Sequence, residues 1–102
     1  MNNWQIQINQ EGNLVIKGVE NKSKTIDLFG RNVYEYTLCV DNHNMRKLKN
    51  LLSSSFPKVK ILNKQTMEAL IQDQFFSSRS LAAFRAYLES MDVPFRYQSN
   101  VA

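Results

Sequence analysis

Apolar and polar residues alternate with a period of two at the start of the chain. Trp4, Ile6 and Ile8 are interleaved with Gln5, Gln7 and Asn9, the pattern of a strand with one buried face. Asn9-Gln10-Glu11-Gly12-Asn13 then supplies turn chemistry, with Gly12 able to take a positive φ. Leu14, Val15, Ile16 and Val19 resume as a second strand, so the pair predicts a β-hairpin. After the polar break Asn21-Lys22-Ser23-Lys24, residues Thr25 to Phe29 read as a short extension or edge strand before Gly30. Asn32 to Val40 carries the strongest strand pattern. Tyr34, Tyr36, Leu38 and Val40 fall on one face, and Val33, Glu35, Thr37 and Cys39 on the other, with Cys39 read as a packed strand residue.

The period then lengthens. Asp41 or Asn42 can cap a helix whose apolar residues Met45, Leu48, Leu51 and Leu52 recur at helical spacing. Ser53-Ser54-Ser55 reads as its frayed end and connector ahead of Phe56-Pro57, because proline biases the residue before it to extended geometry. Val59 and Ile61 alternate with Lys58 and Lys60 in a piece that fits a strand or a loop. Met67, Leu70, Ile71 and Phe75 predict a second amphipathic helix from near Asn63 to near Gln74. Ser77, Ser78 or Ser80 can cap a third, with Leu81, Phe84, Leu88 and Met91 as its stripe and Arg85 and Glu89 as an outward i, i+4 pair. Pro94 precedes a final edge strand, Phe95-Arg96-Tyr97. Strands come first and helices follow as a block. The expected fold is therefore α+β: a single domain over residues 1–102, mainly an antiparallel sheet with about three helices packed on one face.

Composition narrows the function classes. The chain has 102 residues, 43% of them hydrophobic and 22% charged, the balance of an ordinary globular domain. Met1 to Gln10 lacks the basic and apolar regions of a signal peptide, and no run approaches the ~18 apolar residues of a spanning helix. A cytoplasmic location with no membrane partner is expected. One cysteine excludes an intramolecular disulfide and a cysteine-built metal cage. Three glycines, Gly12, Gly18 and Gly30, cannot form a P-loop or a dinucleotide fingerprint. His43 has no second His or Cys near it and reads as a solvated residue at a helix start. Glu68, Asp73, Glu89 and Asp92 read as solvated outward charges. No cofactor and no catalytic residue are called, and an enzyme using His43 with a carboxylate ranks last.

The net charge of +4 is unevenly spread. Asn42 to Met67 holds Arg46, Lys47, Lys49, Lys58, Lys60 and Lys64 and no acidic residue. Such a stretch can be a solvated face, can meet an acidic protein, or can contact nucleic-acid phosphates. Nucleic acid is the less favoured partner, since Phe56 is the one aromatic there to stack on a base.

Three segments carry a family likeness: Tyr34-Glu35-Tyr36-Thr37-Leu38 running into Asp41 and a leucine-rich helix, Phe84-Arg85-Ala86-Tyr87-Leu88-Glu89, and Met91-Asp92-Val93-Pro94-Phe95-Arg96-Tyr97. From Asn32 onward the chain resembles the small immunity proteins of bacterial contact-dependent growth inhibition and related polymorphic-toxin systems. The resemblance implies a cytosolic, non-enzymatic protein that binds the toxin domain encoded beside it, a ribonuclease by analogy, and blocks its action. Inhibitors of basic nucleases in such systems are commonly acidic, and this chain is basic. The contact would then use the basic stretch against an acidic toxin surface, or local acids such as Glu35, Asp41, Glu89 and Asp92. The alternative function is a small basic nucleic-acid-binding or regulatory domain.

Overall fold

A sheet that buries one face needs a second layer, and the helices supply it. The computed structural model describes residues 3–21, 33–77 and 81–101. Strands β1 (Asn3–Ile8), β2 (Leu14–Asn21), β3 (Val33–Val40) and β4 (Arg96–Val101) form one antiparallel sheet in the order β1-β2-β3-β4. Between β3 and β4 run α1 (Asn42–Ser55), α2 (Lys64–Ile71) prolonged by a π-helical turn Gln72–Phe76, and α3 (Leu81–Ser90). The architecture is the α+β domain expected. The Thr25–Phe29 strand and the Ser78 and Ser80 caps lie outside the described residues.

Register places the apolar positions in rows. Ile8, Leu14 and Val40 are paired neighbours, as are Ile6, Ile16, Leu38 and Tyr97. Leu48 and Leu52 of α1, Leu70 and Ile71 of α2, and Phe84 and Leu88 of α3 close over them in one buried cluster. The opposite sheet face carries Gln5, Gln7, Val15, Lys17, Thr37, Cys39, Arg96 and Gln98, none of them fully buried. Gly18 sits in a third row between Trp4 and Tyr36. The Trp4 ring occupies the space a side chain there would need and packs near Tyr36 and Phe76, with centroids 6.1 and 5.5 Å away. Tyr36 in turn stacks on Tyr97, and the Arg85 guanidinium lies 4.0 Å from the Tyr97 ring centroid.

The π-helical turn explains how two consecutive phenylalanines are both buried. Phe75 packs edge-on against Phe84 and Phe56 and beside Tyr87, whereas Phe76 reaches Trp4 and Phe84. One wide turn thus joins the helical layer to the sheet.

Several local expectations are corrected. Ser53–Ser55 are helical, with Phe56 N–H still donating to the Leu52 carbonyl at 2.9 Å, so Pro57 and not the serines ends α1. Ser55 Oγ and Tyr87 Oη, 2.9 Å apart, tie that end to α3. Of the two readings left open for the Lys58–Ile61 piece, strand or loop, the structure shows the loop. Met91 lies in the turn after α3 and is exposed, outside the buried stripe. Phe95 precedes the last strand, which runs on to Val101. Glu68 is half-buried and accepts a hydrogen bond from Ile8 N–H, so it is not a solvated charge. Cys39 is half-buried on the open sheet face, 3.4 Å from an Arg96 nitrogen, rather than under neighbours.

Candidate binding groove

The hairpin turn is built to receive α1. Gly12 has φ +84°, and Asn9 and Asn13 cross-bond through Asn9 N–H to the Asn13 carbonyl and Asn13 N–H to Asn9 Oδ1. The turn then binds the first residue of α1. Asn42 N–H donates to Asn13 Oδ1 at 2.7 Å and Asn42 Nδ2 donates to the Glu11 carbonyl at 3.0 Å. Asp41, the N-cap, makes no capping hydrogen bond, because its carboxylate accepts instead from Arg96 at 2.7 Å. This partner and the Cys39 sulfur hold the Arg96 guanidinium above its ordinary value, the sulfur contact first and the Asp41 charge next.

A second set of contacts fixes α2 beside the end of β1. Asn63 and Thr66 form a reciprocal capping box, Thr66 N–H donating to Asn63 Oδ1 and Asn63 N–H to Thr66 Oγ1. Lys64 Nζ donates to the Asn9 carbonyl at 3.0 Å, and Glu68 takes Ile8 N–H at 2.6 Å. Because Asn9 and Asn13 form a hydrogen-bonded pair, the Ile8 N–H points away from β2, and Glu68 satisfies that edge donor.

Between the hairpin, α1 and the start of α2 lies a groove of about 370 Å³. Ile8 and Met67, both buried, and the half-buried Met45 and Ile61 form its floor, while the exposed Arg46, Lys49 and Lys64 stand around it with Gly12 and Asn63. At about 100° per residue, Arg46 and Lys49 fall on one flank of the Leu48–Leu52 stripe and Lys47 on the other. Lys47 accordingly turns away and donates from Nζ to the Asp92 carbonyl at 2.7 Å.

The structure therefore divides the basic residues that the sequence grouped. Arg46, Lys49 and Lys64 converge, Lys47 is tied to the turn after α3, and Lys58 and Lys60 are exposed on the loop. Glu35 lies on the open sheet face with Gln5, Lys17, Val19 and Thr37, which line a separate open depression of about 450 Å³. Asp41 is paired with Arg96. His43 is exposed, with Asn44 Nδ2 3.4 Å from its ring nitrogen. Met45, Ile61 and Met67 were missed as site residues. Helical spacing assigns both methionines to the core, which holds for Met67, and no sequence pattern reveals that Met45 stays half-buried beside an open groove at the hairpin.

No known protein family, curated protein or solved structure matches this chain. Among the described residues no helix is long and apolar enough to cross a membrane.

Proposed function

We propose that this chain is a non-catalytic binding domain that engages another protein through the basic side of α1 and α2, and that it serves as an immunity protein neutralising a bacterial toxin domain. The observation that carries the reading is the convergence of Arg46, Lys49 and Lys64 on an apolar-floored groove. Both ion pairs formed among the described residues lie elsewhere, Arg85 with Glu89 and Arg96 with Asp41, so Arg46 and Lys49 keep their charge unneutralised. Like charges three apart on a helix cost stability, on the order of 0.2–0.5 kcal/mol. An acidic partner relieves that repulsion on binding.

The toxin-neutralising role is tested in cells. A carboxy-terminal toxin domain, sought immediately upstream of the coding sequence, is expressed alone and together with this chain. Growth arrest by the domain and its relief by co-expression support the reading, and arrest that persists in the presence of folded protein overturns it. A basic nucleic-acid-binding domain would instead give a steep salt-dependent affinity for nucleic acid and no rescue.

A further inference from the structure

We infer that the groove takes an acidic linear segment of a protein partner, with an apolar side chain set between carboxylates; this rests on the reading of the chain as a protein-binding domain. Floor and surround ask for different chemistry. The half-buried Met45 and Ile61, with buried Met67 beneath them, offer aliphatic and thioether surface that gains nothing from a bare anion and is stabilised by covering it with apolar atoms. The unbranched thioether side chains adapt to the shape of what enters. The groove's volume of about 370 Å³ accepts a side chain or two of a partner segment.

Arg46, Lys49 and Lys64 set the charge of the occupant. Lys64 is already oriented by its bond to the Asn9 carbonyl and retains further N–H donors for a carboxylate. Among the described residues three carboxylates lie at this end of the domain, and none forms an ion pair with the groove cations; Asp41 is paired with Arg96. Glu68 is engaged by Ile8 N–H, and Glu11 stands exposed on the hairpin turn. Nucleic acid would supply phosphates to the same cations, but its bases need planes to stack on, and among the described residues no aromatic side chain lines the groove. An acidic peptide matches both requirements.

The test titrates the intact chain with a synthetic peptide bearing two aspartates on each side of a Leu-Phe pair, followed by the methionine methyl signals in NMR. The Met45 and Met67 methyls shift on binding and that of Met91, in the turn after α3, does not. Replacing the Leu-Phe pair by serines weakens the peptide about tenfold, the worth of roughly one buried apolar contact. The double variant Arg46→Glu, Lys49→Glu weakens the original peptide at least as much. Equal affinity for the serine peptide overturns the inference, as does binding without Met45 and Met67 shifts, or a short oligothymidylate moving those methyls while the peptide does not. The peptide comparison is made on the unaltered chain, so it decides the matter even where the charge-reversed variant fails to fold. Failure here with growth rescue intact removes the acidic ligand of the groove and leaves the binding function standing.

Discussion

Trp4 and Gly18 face each other across the first two strands so closely that a β-carbon on Gly18 would stand 1.9 Å from Trp4 Cε3. The glycine is there because the indole lies over it and reaches on toward Tyr36 and Phe76. Gly18→Ala therefore displaces the ring. We expect a red-shifted tryptophan emission and a loss of about 1–3 kcal/mol in urea unfolding. Trp4 is the only tryptophan, so the emission reads this site alone. Unshifted emission with full stability would contradict the packing.

The end of α3 depends on backbone conformation. Asp92 has φ +57°, and the turn is closed by Val93 N–H to the Leu88 carbonyl at 2.9 Å around Asp92 N–H to the Glu89 carbonyl at 3.2 Å. Val93 and Leu88 are both buried, the apolar contact that accompanies such an end. Asp92→Gly should be neutral or stabilise by up to about 1 kcal/mol, whereas Asp92→Val should cost about 1–2 kcal/mol. A valine variant as stable as the glycine one in thermal unfolding contradicts the left-handed turn.

Glu68 caps an edge donor of β1, and the 2.6 Å contact is charge-assisted. Glu68→Ala leaves the part-buried Ile8 N–H unsatisfied and should cost about 1–3 kcal/mol. Glu68→Gln keeps an acceptor and should retain most of the stability. Hydrogen exchange at the Ile8 amide gives a direct readout, and protection unchanged in the alanine variant would show that the carboxylate does not hold it.

Phe84 is wholly buried, between Phe75 and Phe76. Its replacement by alanine should cost about 3–5 kcal/mol, and Leu88→Ala about 2–5 kcal/mol. Near-wild-type melting of both variants would place that face of α3 outside the core.

The layout was legible wherever periodicity and burial coincide. Trp4-Ile6-Ile8, Tyr36-Leu38-Val40 and Leu81-Phe84-Leu88 fall where their spacing puts them, and Gly12 takes its positive φ. Spacing failed where a long-range contact decides the role. Nothing local links Glu68 to Ile8, 60 positions away, or Lys47 to the Asp92 carbonyl, 45 positions on, although helical spacing alone already sets Lys47 on the flank opposite Arg46 and Lys49. Charge counting found the stretch that holds the groove. It could not divide that stretch, because the division is made by the helix flank each cation occupies and by where the hairpin turn docks.

The central claim is that the partner is met through Arg46 and Lys49 and not through Lys47. The most direct measurement is stopped-flow association with the proposed toxin partner across a salt series, for the wild type, the Arg46→Glu, Lys49→Glu double variant and Lys47→Met. Steering by the groove cations predicts a wild-type rate that falls with salt, and a double variant slower by about tenfold or more at low salt. Lys47→Met should associate at close to the wild-type rate. Unchanged kinetics in the double variant, or a loss confined to Lys47→Met, would contradict the claim and place the contact elsewhere on the domain.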